Sequence, residues 1–178
     1  MLLSLVLDIG CGKNKRGTLG VDVEKTPLVD IICDAHHLPF IGEVFDGCYA
    51  YAFLEHVDNP IMVLKEVNRV LRSKAWLKVL VPRDSRVRSD YVTCIINLHF
   101  KQLLREYRAM KSGEHKWQYS DESLREILTV NGFEVKEVNY PAYPLITGRR
   151  VEKVLSKLKI VRRPHLVINA IKKESLKK

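Results

Sequence analysis

The stretch Leu5-Val6-Leu7-Asp8-Ile9-Gly10-Cys11-Gly12 constrains this chain more than any other. An apolar run ending in an acid and two closely spaced glycines predicts a buried central strand that enters a tight turn, where bare backbone can meet a ligand. Further on, Leu19-Gly20-Val21 ends in Asp22, and Val29-Asp30-Ile31-Ile32-Cys33 ends in Asp34. One carboxylate can accept hydrogen bonds from both hydroxyls of a ribose, so an acid at the tip of the neighbouring strand suits a ribose diol. Three acids at three strand tips beside one glycine turn predict a nucleoside site.

With 178 residues, 46% of them hydrophobic, the chain can bury a core as a single domain without disulfide or metal support. Its four cysteines, at 11, 33, 48 and 94, show no C-x-x-C pairing and read as reduced, buried thiols, so no metal site is expected. The apolar opening Met1–Leu7 lacks a basic leader and runs into the acid-glycine turn, which makes it a strand rather than a signal peptide. No run approaches the roughly 20 apolar residues of a membrane span, and a cytoplasmic protein is expected. Charge is unevenly spread. Residues 1–82 hold 9 Lys and Arg against 10 Asp and Glu, net −1, whereas residues 83–178 hold 21 against 11, net +10. The excess points to an anionic partner, RNA first, with a phosphorylated metabolite or membrane surface behind it; a merely solvated basic surface is the alternative.

The segments LDIGCG (7–12), GVD (20–22), CDAHHLPF (33–40), FDGCYAYAFLEHV (45–57), LKEVNRVL (64–71) and LKVLVP (77–82) stand in an order that resembles the class I S-adenosylmethionine-dependent methyltransferases, type 11 subgroup. The resemblance resumes weakly over 119–124 and 131–135. It implies a three-layer, Rossmann-like α/β domain: a seven-stranded, mostly parallel sheet with an antiparallel edge strand and helices on both faces. It implies S-adenosyl-L-methionine as cofactor. Gly10 and Gly12 would give room for the aminoacyl arm, Asp8 would meet the ammonium, Asp22 would hold the ribose, and Asp34 with the Ala35 backbone would read adenine. Cys11, Val23 and Tyr51 complete the expected cofactor contacts. Capping of local loops is the plainer role for Asp8 and Asp34.

Taken in order, Lys13–Thr18 is too short for the usual crossover helix between the first two strands. The missing third glycine of G-x-G-x-x-G argues against a dinucleotide pyrophosphate site. Relatives carry helices before the first strand; here the substrate side is expected to be open, or covered by later basic segments or by a second copy in a homodimer. Glu55 and His56, in the family's "LEH" segment, are candidates for chemistry beside the methyl group, with packing and capping as the plainer reading. Asp58-Asn59-Pro60 starts a helix with Leu64, Val67 and Leu71 on one face. Ser73–Trp76 replaces the family's Pro-Gly-Gly turn.

Apolar residues Val92, Ile96, Phe100, Leu103, Tyr107 and Met110 predict an amphipathic helix within a helical insertion or lid over 83–118, with Arg105 and Arg108 among its basic positions. His115, after the Ser112-Gly113 hinge, is a candidate for proton transfer. Ser120 or Asp121 caps a helix that Asn131-Gly132 stops; Phe133–Val138 alternates as a strand. A basic helical insertion over 141–164 precedes a last strand, His165–Ile171. No Asn/Asp-Pro-Pro-Tyr follows strand four and no Pro-Cys pair is present, which makes planar amino groups and cytosine C6 less favoured acceptors. RNA or a small metabolite leads, and a non-catalytic methyltransferase-like binding module is the rival.

Overall fold

A computed structural model describes residues 4–82, 116–140 and 165–174. Seven strands form one sheet: β1 (Val6–Ile9), β2 (Leu19–Asp22), β3 (Ile31–Ile32), β4 (Phe45–Tyr51), β5 (Leu71–Pro82), β6 (Phe133–Asn139) and β7 (His165–Lys172). Their order is β3-β2-β1-β4-β5-β7-β6. The first five pair in parallel, and β7 lies antiparallel between β5 and β6. This is the mostly parallel, Rossmann-like arrangement expected. Order reverses between β1 and β4, the point at which open α/β sheets bind ligands beyond their strand ends.

Two described helices, α1 (Pro60–Val70) and α2 (Asp121–Val130), cover one face. Asn59 caps α1 by accepting from the Met62 amide at 3.1 Å, and Pro60, which has no N–H to orphan, takes the first turn. Val63, Leu64, Val67 and Val70 form its buried stripe, packed with Leu7, Ile9, Cys48, Ala50, Leu77 and Val79 in one core. Ser120 caps α2, with Ser123 closing the reciprocal pair. Asn68 of α1 donates to the Asn131 carbonyl at the end of α2 at 3.1 Å, so the helices lie side by side. On the opposite face Asp8 and Tyr51 meet the Lys13–Thr18 connection, which is indeed loop rather than helix, and Tyr49 packs edge-on between Tyr51 and Trp76. Of the expected helical insertion over 83–118 only 116–118 are described, and they are not helical; the expected insertion over 141–164 lies outside the described residues.

The altered turn at 73–76 belongs to β5. Phe45 pairs with Leu71 and Gly47 with Trp76, so the intervening residues loop out as a wide bulge with Lys74 at φ 63°. Cys11, Cys33 and Cys48 are free thiols. No helix among the described residues is long and apolar enough to cross a membrane.

Candidate functional site

Beyond the ends of β1 and β2 the chain makes a double glycine turn. Gly10 (φ 64°) and Gly12 (φ 48°) both take the left-handed region, which other residues enter only at a cost. The two glycines serve different ends. A Cβ at Gly10 would fall 2.2 Å from Phe53 Cδ2, so the space vacated there is filled by the Phe53 ring. At Gly12 the nearest described atom to such a Cβ is Asp22 Oδ2 at 4.0 Å, which leaves, among the described residues, an open cradle facing a carboxylate.

Asp22 is locked in place from both sides. Its Oδ2 accepts from the Gly12 amide at 2.9 Å and its Oδ1 from the Glu24 amide at 3.0 Å, and each oxygen retains a lone pair for a hydroxyl. Val23 beside it is 66% exposed, an aliphatic wall without a described cover. Asp8 is buried, and its Oδ2 accepts from the Arg16 amide at 2.5 Å and the Gly17 amide at 3.4 Å; burial raises its pKa against these bonds. In this arrangement Asp8 fastens the short 13–18 connection to β1. Cys11 is buried, its thiol pushed up to about 11, first by burial and then by Asp8, Asp22 and Asp30, so it packs as a neutral group. Tyr51 carries the Arg16 guanidinium 4.5 Å above its ring centroid and Tyr49 edge-on at 5.4 Å.

Asp34 stands at the end of β3 with its Oδ1 accepting twice from His36: from the amide at 2.9 Å and from Nδ1 at 2.6 Å. These bonds hold its carboxyl below the usual range. Ala35 is buried behind it. After β4, Ala52 takes φ 48° and the chain turns through Phe53, Leu54 and Glu55. Glu55 is 1% exposed, and among the described residues neither carboxylate oxygen has a hydrogen-bond partner. Burial pushes its pKa up to about 7. His56, largely exposed, places Nε2 3.8 Å from Glu55 Oε1. A strap over 116–119 closes this turn: the Lys116 and Trp117 amides donate to the Glu55 carbonyl at 2.7 and 3.1 Å, Trp117 Nε1 to the Val57 carbonyl at 2.8 Å, and Tyr119 Oη to the Leu54 carbonyl at 3.2 Å. His115 lies outside the described residues.

Residues 7–79 match the family model of the type 11 methyltransferase domain. No curated protein matches its sequence. Its fold is that of solved S-adenosylmethionine-dependent methyltransferases. One from Thermotoga maritima has a TM-score of 0.64 at 20% identity, over 97% of this chain and 84% of its own. Another, from Methanosarcina mazei, has a TM-score of 0.59 at 21% identity, over 98% and 95%. The Haloferax volcanii complex of the Trm112 methyltransferase activator with a methyltransferase matches at 0.63 and 17% identity, over 96% and 83%.

The residues at this turn are of the kinds that S-adenosylmethionine, the cofactor of those solved methyltransferases, would need. A phosphate-free nucleoside with an aminoacyl arm needs backbone room, a ribose acceptor and a polar edge for adenine; the Gly12 cradle, Asp22 and Asp34, at the ends of β1, β2 and β3, would provide these. Sequence reasoning missed three contributors. Phe53 fills the Gly10 side, Asp30 clamps the Gly20 amide at 2.7 Å while pairing with Lys15 Nζ at 2.9 Å, and His36 orients Asp34. Only His36 left a trace in the sequence, as a donor two residues after an aspartate, the spacing of an Asx turn.

Proposed function

We propose that the chain is an active S-adenosylmethionine-dependent methyltransferase with an anionic acceptor, RNA first and a small metabolite second. The observation that carries this reading is the Gly12–Asp22 pair, a left-handed glycine, open among the described residues, whose amide fixes a carboxylate at the end of β2, next to the β1/β4 switch point. Asp22 would hold the ribose hydroxyls, Gly12 would leave room for the aminoacyl arm, Val23 would line one face of adenine, and Asp34 with the Ala35 backbone would read its edge. When bound, the cofactor supplies a sulfonium-activated methyl group. The chain therefore needs chiefly to orient the acceptor and exclude water. Glu55, buried with its pKa near neutrality beside the exposed His56, is suited to pass an acceptor proton outward; His115 is the further candidate for that role.

The net +10 of residues 83–178 supports an RNA acceptor, because lysines and arginines that neutralise phosphates gain affinity by releasing counterions. The Haloferax complex supports a protein partner as well, beside the homodimer. A cytoplasmic location belongs to this reading.

Titration calorimetry with S-adenosylmethionine, S-adenosylhomocysteine and NAD, with Asp22→Ala alongside, tests it. Micromolar binding of the first two that the variant loses supports the cofactor site; no binding to any of the three returns the chain to the non-catalytic reading. Arg105→Glu combined with Arg108→Glu should leave cofactor binding intact and weaken RNA binding with a shallower salt dependence. Loss of both properties together would break the proposed division between a cofactor half and a basic acceptor half.

A further inference from the structure

His36 joins two segments that the sheet keeps apart. Its Nε2 accepts from the Asn59 backbone amide at 3.2 Å, at the start of α1, and its Nδ1 lies 2.6 Å from Asp34 Oδ1. The two contacts settle the ring's state. Because Asn59 N–H needs a lone pair on Nε2, the neutral ring carries its proton on Nδ1 and donates it to Asp34. A ring only 15% exposed thus anchors a carboxylate that is 60% exposed. Left in water, such a carboxylate would rotate between rotamers; here both His36 contacts fall on Oδ1, and Oδ2 has no hydrogen bond among the described residues. A charge-assisted bond of this length is among the stronger ones available to a side chain.

We propose that His36 is a positioning residue that turns Asp34 Oδ2 toward the base of the bound nucleoside and ties this loop to the entrance of α1, so that selection of a 6-aminopurine depends on an imidazole that does not touch it. The inference rests on the proposed reading of the cofactor site and adds to it a device specific to this chain. An Oδ2 held as a fixed acceptor favours a base presenting an exocyclic N–H and disfavours one presenting a carbonyl there. The same ring transmits the position of Asn59, and through the adjacent Asp58–Lys116 pair at 2.5 Å the position of the 116–119 strap, to the base-reading loop.

The test is calorimetric titration of wild type, His36→Ala, His36→Asn and His36→Gln with S-adenosylhomocysteine and with S-inosylhomocysteine, in which a carbonyl replaces the 6-amino group. Wild type is expected to prefer the adenosine compound by about tenfold or more, the scale of one well-placed hydrogen bond. His36→Ala should lose most of that preference through weaker adenosine binding alone. The Asn amide can donate to Asp34 from near the place of Nδ1 and should rescue the preference. Gln reaches toward Asn59 instead and should resemble Ala, so Asn against Gln carries the test if Ala does not fold. Full preference in His36→Ala or His36→Gln overturns the proposal, as does equal loss in all three variants with a parallel fall in melting temperature. Wild type that binds neither compound overturns the cofactor-site reading itself, an outcome visible before any variant is compared.

Discussion

Glu55 offers a test of the site's electrostatics that needs no substrate. Its carboxyl is buried near the 116–119 strap with neither oxygen hydrogen-bonded to a neighbour among the described residues, and Tyr119 directs its hydroxyl to the Leu54 carbonyl rather than to the acid. Desolvation accordingly raises the folded value from the ordinary 4.5 to about 7. The folded protein then binds this proton more tightly than the unfolded chain does. Stability linked to Glu55 is therefore fully present below pH 4.5, is lost as pH rises through 7, and is flat above about 8. At about 1.36 kcal/mol per pH unit over this interval, the loss is about 3 kcal/mol, most of it between pH 5 and 8. Glu55→Gln keeps the shape and removes the titration. Its buried amide carries its own desolvation cost of about 1–3 kcal/mol, but that cost does not vary with pH, so the slope rather than the absolute stability is diagnostic. Urea unfolding of both proteins at intervals from pH 5 to 8 is the assay. The wild-type midpoint should fall relative to the variant by about 1 M or more across the range, given a slope of at most about 3 kcal/mol per molar urea. Parallel curves would refute the reasoning and mean that Glu55 ionises freely in the folded protein.

The remaining expectations concern the frame around the site. Gly10→Ala should destabilise by about 2–5 kcal/mol, combining a left-handed alanine with its collision against Phe53, and Phe53→Ala in the same chain should relieve the collision part, seen as a non-additive double-mutant cycle in urea unfolding. Asn59→Ala should cost about 1 kcal/mol through loss of the Met62 cap while leaving S-adenosylhomocysteine affinity nearly unchanged, because the backbone amide that meets His36 remains.

Much of the frame was legible in the sequence because it depends on short-range rules. Apolar runs of strand length, an acid and glycines at their ends, Asn59-Pro60 and Ser120 as caps, and Asn131-Gly132 as a stop each act within a few residues, and the corresponding elements stand where those signals lie. The short 13–18 connection was equally readable, since six residues cannot form a crossover helix. The limits of β5 were not. Its extension back to Leu71 depends on pairing with Phe45, a partner distant in sequence, and on a bulge that accommodates Lys74.

The sequence by itself determined which residue types gather at one edge of the sheet: two glycines, Asp8, Asp22, Asp34 and the Glu55-His56 pair, each placed by the end of a strand. Tertiary structure decided how they are used, because use depends on what each side chain meets across the turn. It filled the space at Gly10 with Phe53 and left that at Gly12 open among the described residues, turned Asp8 onto the backbone of the neighbouring loop, buried the Glu55 carboxyl without a hydrogen bond from the described residues, and set His36 between Asp34 and α1. Local pattern fixes where a strand ends; only packing between segments far apart in sequence fixes which atoms at that end remain available to a ligand.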